Sequence, residues 1–351
     1  MKKTEFYKVK AADKYLLEVK LDYPENPKSV VILCPGSGPN TYDNHRKAGD
    51  IEFNYFDLFS DELYKRNIAF CRWNTRGCIL SDNPPDYVSI DPEGYATYYP
   101  SNSIEDILTI KSWVQGLSQF RKSQIILMGI SEGATLVPFA AAKCADLAAI
   151  LLVGFSYENM KDTLEWQLTG GSSMVNICKF FGCTEKGYVD KADFVRDKYN
   201  IRPYLFEGVT FEELDLDKDD KLTRNDFALQ MAEYRHNVYQ AIEKEDDEWL
   251  IKNYVVPITA KWCKEHFALP PVSNVLCSLT IPIWIFQGCD DANIPASDII
   301  KIQSDYCRTG QDKLHILTFP RHDHDLNYME YPLYGKISKG LRALFNTAQN
   351  I

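Results

Sequence analysis

Short, uninterrupted apolar runs recur along the chain and predict buried strands. They lack the alternation of apolar and polar positions that marks a strand with one wet face. A run that is apolar on both sides is typical of a parallel strand covered on both faces. The runs are "SVVILCPG" (29–36), "IAFCRWN" (68–74), "QIILMGI" (124–130), "LAAILLVG" (147–154), "IPIWIFQG" (281–288) and "LHILTFP" (314–320).

Amphipathic stretches lie between these runs and predict helices. Repeated alternation of strand and helix indicates an α/β protein with a mostly parallel central sheet flanked by helices. At the start of the chain, 6–11 and 15–23 predict an antiparallel hairpin at the sheet edge. The helical stretches are "YFDLFSDELYKRN" (55–67), "SIEDILTIKSWVQGL" (103–117), "ATLVPFAAAKCA" (134–145), "ASDIIKIQSDYC" (296–307) and "LYGKISKGLRALFNT" (333–347).

The strand–helix rhythm breaks after the sixth predicted strand. The stretch 157–278 has a helical pattern, is rich in aromatic and acidic residues, and contains no strong strand pattern. We therefore expect a core in two parts, 1–156 and 279–351, with 157–278 inserted between the sixth and seventh strands as a helical unit.

Composition and charge narrow the function classes. The 351 residues carry a net charge of −10 and show no basic cluster, which argues against nucleic acid or an anionic membrane as the main partner. The charged N-terminus does not resemble a signal peptide, and no apolar run is long enough for a membrane helix. The ten cysteines form no C-x-x-C pair. We therefore expect reduced thiols in a cytoplasmic protein, and no zinc site.

The stretch "ILMGISEGAT" (126–135) contains a candidate nucleophile. It places Ser131 in a Gly-x-Ser-x-Gly pattern where a buried strand runs into a helix. At such a turn the serine hydroxyl is exposed above the sheet, and glycines two positions away on each side remove colliding side chains. The amide of Glu132, at the start of the helix, is then free to bind an oxyanion. Alternatively, Ser131 only caps the helix.

Two later strand ends supply an acid and a base. "IFQGCDDANIPASD" (285–298) has the spacing Gly, two residues, Asp, two residues, aliphatic, Pro, which favours Asp291 over Asp290 as the acid. "LTFPRHDHDLNY" (317–328) offers His322 and His324, and the sequence His-Asp-Leu favours His324. In this prediction His324 is the general base for Ser131, and Asp291 fixes and stabilises its imidazole.

The order Ser131, Asp291, His324 is similar to that of α/β-hydrolase serine esterases. "VILCPGSGPN" (31–40) resembles the oxyanion loop of the carboxylesterase branch that carries Pro-Gly-Ser-Gly-Pro. "AFCRWNTRGCILSD" (69–82) resembles its next strand and Arg-Gly turn. The resemblance implies an α/β-hydrolase fold in which the amide of Ser37 joins that of Glu132 in an oxyanion hole.

Three features depart from the family pattern. "TYDNHR" (41–46) stands where an Asp-Arg-Asp-like run is common, and Ile79 stands where a second glycine is common. Pro138 falls early in the helix after Ser131, so we expect that helix to start late or to kink. None of these departures removes a candidate catalytic side chain.

The insertion sits where such hydrolases carry a cap over the active site. Its apolar segment "MVNICKFFG" (174–182) and the side chains of Trp166, Trp249 and Trp262 could line an acyl pocket. For each of them alone, packing within the core of the cap is the favoured interpretation.

An acidic loop inside the insertion, "DLDKDDKLTRNDF" (215–227), resembles an EF-hand calcium loop. No second loop of this kind is evident in the sequence, Asp220 replaces the usual glycine at position 6, and a shorter Asp replaces Glu at position 12. A solvated acidic turn before a helix is the alternative to a structural calcium site. The candidate ligands at loop positions 1, 3, 5, 7, 9 and 12 are Asp215, Asp217, Asp219, the carbonyl of Lys221, Thr223 and Asp226.

These features predict a serine hydrolase that cleaves small-molecule carboxylic esters through an acyl-enzyme and needs no organic cofactor. A thioesterase or acyltransferase would use the same three residues. A non-catalytic, calcium-responsive binding protein on a hydrolase scaffold is the alternative from another class. The sequence does not specify the natural substrate or the oligomeric state.

Overall fold

The computed structural model describes residues 1–309 and 312–351, with the side chains of 307–309, and so the Cys307 thiol, outside the description. Its larger strands follow the predicted apolar runs and end within two residues of them. The strands are β1 (Lys3–Lys10), β2 (Leu16–Tyr23), β3 (Ser29–Cys34), β4 (His45–Ala48), β5 (Ile51–Asn54), β6 (Ile68–Trp73), β7 (Cys78–Leu80), β8 (Val88–Ile90), β9 (Gln124–Ile130), β10 (Ala149–Val153), β11 (Val189–Asp190), β12 (Lys221–Leu222), β13 (Ile283–Gly288) and β14 (Leu314–Phe319).

Eight of these strands form one central sheet within the described residues, in the order β1-β2-β6-β3-β9-β10-β13-β14. β1 and β2 pair antiparallel at the edge, as predicted, and β2 pairs antiparallel with β6. Every pair from β6 to β14 is parallel. Because the carboxyl ends of parallel strands meet at one edge of the sheet, the turns after β3, β9, β13 and β14 lie together.

Helices connect the strands and also build the insertion. The predicted C-terminal helix is broken into two, because Gly335 adopts a left-handed φ of 64° and Ser338 caps a new helix through the amide of Leu341. A 3₁₀ turn covers Ser118–Phe120. The helices are α1 (Tyr55–Lys65), α2 (Pro92–Tyr95), α3 (Pro100–Gly116), α4 (Glu132–Ala141), α5 (Met160–Leu168), α6 (Gly171–Phe181), α7 (Lys191–Arg196), α8 (Arg202–Leu205), α9 (Phe211–Leu214), α10 (Arg224–Gln230), α11 (Ala232–Lys244), α12 (Asp247–Asn253), α13 (Ala260–Ala268), α14 (Val272–Leu276), α15 (Asp298–Thr309), α16 (Glu330–Tyr334) and α17 (Lys339–Asn350).

The sheet is covered on both faces, which explains its unbroken apolar runs. Along β3, Val30 and Ile32 enter one core with α3, α4, α14 and α15, whereas Val31 and Leu33 enter the other with α1 and α17. Successive side chains of a strand point to opposite faces, so every position of β3 is buried. This sheet with helices on both faces is the α/β architecture predicted from the sequence.

The segment between β10 and β13 has two separately packed parts. Helices α5, α11, α12 and α13 share an apolar cluster with Cys78, Tyr95 and Tyr98 of the core. Helices α6 to α10 enclose a second cluster around Phe181, Phe194 and Phe211. The first part is therefore docked on the core, whereas the second has an interior of its own. In the described residues, no helix is both long and apolar enough to cross a membrane.

A buried guanidinium fixes the turn after β6 to α3. Arg76 is 3% exposed, and its Nε and Nη2 donate to the two carboxylate oxygens of Asp106, each at 2.7 Å. It also pairs with Asp13, whose side chain is 42% exposed. An arginine fork satisfied on both sides in this way holds its position by geometry as well as by charge.

We expect Asp106→Ala to lower the free energy of unfolding by about 3 kcal/mol or more, because it leaves a buried guanidinium without its bidentate partner. The matched variant Asp13→Ala removes the partially exposed partner of the same arginine and should cost under about 1 kcal/mol. Denaturant unfolding of both variants checks this. Equal losses would contradict a dominant role for the buried pair.

Candidate active site

Ser131 lies at the turn between β9 and α4 and has an unusual backbone. Its φ of 56° and ψ of −119° are in the left-handed half of conformational space, which a non-glycine residue rarely adopts. Its amide donates to the carbonyl of Val153 on the neighbouring strand at 2.9 Å. Its side chain makes no capping hydrogen bond to α4 and lines a cavity at the strand ends. Helix capping, the alternative from sequence, is not what this serine does.

The glycines of the pattern are required by close packing. A Cβ on Gly133 would lie 2.1 Å from the carbonyl oxygen of Cys34 at the end of β3, and a Cβ on Gly129 would lie 2.2 Å from the carbonyl oxygen of Gly133. Both distances are too short for any side chain. The turn is therefore pressed against the end of β3, where the loop carrying Ser37 begins.

Pro138 lies inside the helix that follows Ser131. Helix α4 begins at Glu132, directly after Ser131, and contains Pro138 in its interior, so the expectation of a late start is wrong. A proline at this position deprives only the carbonyl of Ala134 of an intrahelical donor. The packing of the turn against β3 fixes where the helix begins.

Asp291 and His324 are brought together by the turns after β13 and β14. Nδ1 of His324 lies 2.8 Å from Oδ2 of Asp291, and both side chains are buried. Oδ1 of Asp291 accepts hydrogen bonds from the amides of Asn293 and Ile294 at 2.8 and 2.9 Å. The carboxylate is thus oriented on one side by its own turn and orients the imidazole on the other.

Gln287 is a further partner of Asp291 that the sequence analysis did not identify. Its Nε2 donates to Oδ2 of Asp291 at 2.7 Å, and its Oε1 accepts from the amide of Phe155 at 3.1 Å. It is almost completely buried at the end of β13. A polar residue inside an apolar strand was the available signal, because such a residue needs buried partners.

One ring nitrogen of His324, Nε2, is not used by the bond to Asp291. Within the described part of the chain, its buried Nε2 has no hydrogen bond, so the structure does not join it to Ser131 by one. Both residues nevertheless line the same cavity. Burial lowers the pKa of His324, but the charge and hydrogen bond of Asp291 outweigh this and raise the pKa to about 9.

The residues that the sequence offered as alternatives, His322 for the base and Asp290 for the acid, make other contacts. Nδ1 of His322 is 3.0 Å from the carbonyl of Pro320, and its Nε2 accepts from the amide of Gly340 at 3.3 Å. The amide of Asp290 bonds the carbonyl of His322. His322 and Asp290 therefore hold the local chain in place, whereas Asp291 contacts the imidazole of His324, a residue that lines the cavity.

The amides of Ser37 and Glu132 adjoin Ser131. A Cβ on Gly36 would be 3.1 Å from the Cβ of Ser131, so the loop lies against the turn. Nδ2 of Asn40 donates to the carbonyl of Gly36 at 2.9 Å. Since the carbonyl and N–H of a trans peptide point in opposite directions, this bond turns the amide of Ser37 away from Asn40. No acceptor for either amide is found among the described residues.

The cavity above Ser131 has a volume of about 580 Å³. Its core side carries Asn44, Arg46 and Asp325. Its other side comes from the insertion and is largely apolar or aromatic, with Met160, Leu164, Leu168, Met231, Tyr254, Val256 and Trp262. A chamber of this volume and mixed lining is suited to an organic ligand with one apolar portion.

The sequence analysis named segment 174–182 and three tryptophans as candidates to line an acyl pocket, and few of these residues reach the chamber. Trp262 lines it, whereas Met174, Ile177 and Phe181 belong to the separate cluster of the insertion. Trp249 packs beside Tyr234 in the docked cluster. For most of these apolar side chains, packing within the insertion is therefore the observed role.

The acidic loop brings together three of its candidate ligands. Carboxylate oxygens of Asp215, Asp217 and Asp219 lie within 4.8 Å of one another. Asp226 is not in this group: it is buried, accepts from the amides of Leu216 and Thr223, and caps α10. Thr223 is the N-cap residue of α10, and Lys221 lies in β12.

The acidic loop is joined to a second loop of the insertion by a short strand pairing. β12 pairs antiparallel with β11, joining Leu222 to Val189 and placing the α6–loop–α7 unit beside the acidic loop. In that second loop the ammonium of Lys186 contacts the carboxylates of Asp190 and Asp193. The sequence of this second loop does not resemble a calcium loop, because it lacks the row of acidic residues and contains Lys186.

Comparison with known proteins identifies solved structures of the same shape. No family model matches the chain, and no curated protein matches its sequence. A thermostable carboxyl esterase from Bacillus coagulans is 13% identical with a TM-score of 0.55, the match covering 100% of this chain and 98% of that one. Esterase Pf2001 from Pyrococcus furiosus is 10% identical with a TM-score of 0.53, covering 99% and 89%.

An acylaminoacyl peptidase is 11% identical with a TM-score of 0.52, and the match covers 99% of this chain. The chain spans only 41% of the length of that peptidase. At such low identity, these likenesses show the fold alone. They confirm the fold class predicted from the sequence.

The His324–Asp291 pair makes a testable prediction about titration. The imidazole of His324 should titrate near pH 9, and in Asp291→Asn its pKa should fall, because burial remains while the attraction of Asp291 is lost. NMR titration of the histidine ring protons, assigned with His324→Gln, measures both values. Asp290→Asn is the control and should leave the titration unchanged. An equal pKa in the wild type and Asp291→Asn would contradict the assignment.

Proposed function

Because the chain has the α/β-hydrolase fold, we propose that it is a serine hydrolase that cleaves carboxylic esters through an acyl-enzyme. The main support is the buried Asp291–His324 pair, together with the fact that His324 and the strained Ser131 line the same cavity. An acid, a base and a nucleophile at three strand ends is the arrangement that this fold uses for acyl transfer.

The proposed reaction has two halves, formation and hydrolysis of the acyl-enzyme. His324 takes the proton of the Ser131 hydroxyl as the oxygen attacks the ester carbonyl, and the amides of Ser37 and Glu132 hold the oxyanion. His324 then protonates the leaving alcohol. In the second half the same ring takes a proton from water as the water attacks the acyl carbonyl, and returns that proton to the Ser131 oxygen as the acid leaves. Catalytic hydrogen bonds are often long without substrate and shorten when it binds, which is consistent with the unpartnered Nε2.

This mechanism requires the neutral form of His324. With its pKa raised to about 9, the imidazole is mostly charged at neutral pH and loses its proton as the pH rises. We therefore propose that turnover increases with pH up to about 9. A thioesterase or acyltransferase would use the same groups, so the leaving group is a separate question.

We further propose that residues 157–278 act as a cap and that its docked part shapes the acyl pocket. The support is the side of the cavity that Met160, Leu164 and Tyr254 contribute opposite Ser131. Burying acyl carbons against these side chains would contribute roughly 0.8 kcal/mol per methylene. The nine cysteines with described side chains are free thiols, which is compatible with the reducing cytoplasm that we propose as its location.

The acidic loop is proposed as a structural calcium site. The oxygens of Asp215, Asp217 and Asp219 converge, and a hard cation favours such ligands. In the paired loop, the ammonium of Lys186 already supplies a positive charge to two carboxylates. Helix α10 follows the acidic loop, and Nε of its first residue, Arg224, donates to the carbonyl of Thr169 at 2.9 Å. Thr169 is next to Leu168, which lines the cavity. A bound cation would therefore steady this edge of the cap.

We expect Ser131→Ala to abolish covalent labelling by a fluorophosphonate probe and to lower kcat for a p-nitrophenyl ester at least about 10³-fold, because the nucleophile is lost. His324→Gln should cause a comparable loss of turnover. The matched control His322→Gln alters the neighbouring histidine, whose ring only joins two turns. It should retain labelling and activity.

A folded wild-type protein that is neither labelled nor active on esters of graded acyl length would contradict the proposed function. It would favour the alternative of a binding protein on this scaffold.

Calcium should raise the melting temperature of the wild type, and Asp215→Ala should remove that rise, because the variant loses a carboxylate of the converging group. Asp220→Asn changes an acidic residue outside the group, and its calcium response should persist. Thermal unfolding with calcium and with chelator measures the difference. An unchanged wild-type melting curve in saturating calcium would exclude the site.

A further inference from the structure

The side chain of Glu132 is the centre of a buried polar cluster that the proposed reaction does not use. The residue is 2% exposed, although it carries a carboxylate. Oε1 accepts from Nε1 of Trp262 at 2.9 Å and lies 2.9 Å from Nε2 of His266. Oε2 accepts from the hydroxyl of Tyr98. Three donors from two different parts of the chain therefore replace the water that a carboxylate normally requires.

The cluster continues into the oxyanion loop. The hydroxyl of Tyr98 donates to Glu132 and accepts from the amide of Gly38 at 3.3 Å. Gly38 directly follows Ser37, so this bond fixes the peptide next to the amide that would hold the oxyanion. Asn40 fixes the peptide between Gly36 and Ser37 by donating to the carbonyl of Gly36. The loop is thus held by Asn40 and by Tyr98, and the restraint from Tyr98 runs through Glu132.

The same carboxylate holds the insertion. Trp262 and His266 are one helical turn apart on α13 and are both buried. If α13 moved away, Glu132 would lose two of its three donors and would remain as a poorly satisfied buried charge, which is costly. Among the described residues, Nδ1 of His266 is buried without a partner.

We propose that Glu132 is a positioning residue that couples docking of the inserted helix α13 to the geometry of the oxyanion hole. Its own amide is one proposed donor to the oxyanion, and its side chain orders the loop that carries the other donor. Docking of α13 then keeps the carboxylate fully bonded and Tyr98 aimed at Gly38. The insertion in this proposal completes the catalytic site as well as covering it. The inference rests on the proposed function.

The test compares two neighbouring tyrosines whose hydroxyl groups bond different partners. Tyr98→Phe removes the link between Glu132 and Gly38. Tyr95→Phe is the matched control. It removes a 2.6 Å hydrogen bond from the Tyr95 hydroxyl to the carbonyl of Pro257, and in the described residues this hydroxyl bonds neither Glu132 nor Gly38. A third variant, His266→Leu, removes a donor on α13 without altering a residue that lines the cavity.

The measurements are kcat and KM for a p-nitrophenyl ester, the inhibition constant of a trifluoromethyl ketone that mimics the tetrahedral adduct, and the melting temperature. For Tyr98→Phe and His266→Leu we expect kcat to fall about 10- to 100-fold with KM changed less than about threefold, since oxyanion donors act mainly in the transition state. Affinity for the ketone should fall in parallel. Tyr95→Phe should change kcat and KM less than about threefold.

Two results would overturn the inference. One is that Tyr98→Phe matches Tyr95→Phe in kcat and in ketone affinity. The other is a loss that appears only in KM or only in the melting temperature. Both require an active wild type, so they leave the proposed function intact. An inactive, unlabelled wild type instead rejects the proposed function, and with it the coupling.

Discussion

The end of β3 and the start of α4 pack so closely that no side chain fits between them. At Gly133 an added Cβ would be 2.1 Å from the carbonyl oxygen of Cys34. This contact forces the chain to reverse at Ser131, which adopts a left-handed φ of 56° and is held there by a bond from its amide to Val153. Such strain persists only where the surroundings fix it. The same contact brings the loop containing Ser37 against the serine, so the proposed nucleophile and this loop are positioned together.

Buried carboxylates fix the remaining groups, and each is satisfied by a fixed set of donors. Asp291 accepts from two amides of its own turn, from Gln287 and from His324. Glu132 accepts from Tyr98, Trp262 and His266. Because such donors cannot reorient as water does, the dipoles around the site are organised before any substrate arrives. The side chains that orient the site thus come from strand ends, from the core and from the insertion.

The two parts of the insertion have different relations to the cavity. The docked part shares an apolar cluster with Tyr95 and Tyr98 and provides one wall of the chamber. The other part encloses its own cluster and carries the paired loops. A cation at Asp215, Asp217 and Asp219 would therefore act on the cavity indirectly, for example through α10 and its bond from Arg224 to Thr169. This separation is compatible with a structural rather than a signalling role for the loop.

The sequence by itself determined the elements whose signals are local. Unbroken apolar runs predicted the parallel strands, because strands covered on both faces cannot alternate. The spacing around Ser131, Asp291 and His324 indicated which turns carry the candidate chemistry, since each pattern reflects a local backbone requirement. Only the tertiary structure decided what depends on distant partners: the role of Gln287, the pairing of Lys186's loop with the acidic loop, and the start of α4 despite Pro138. Glu132 is the clearest case, because its donors lie far from it in sequence and no local pattern specifies a buried carboxylate's partners.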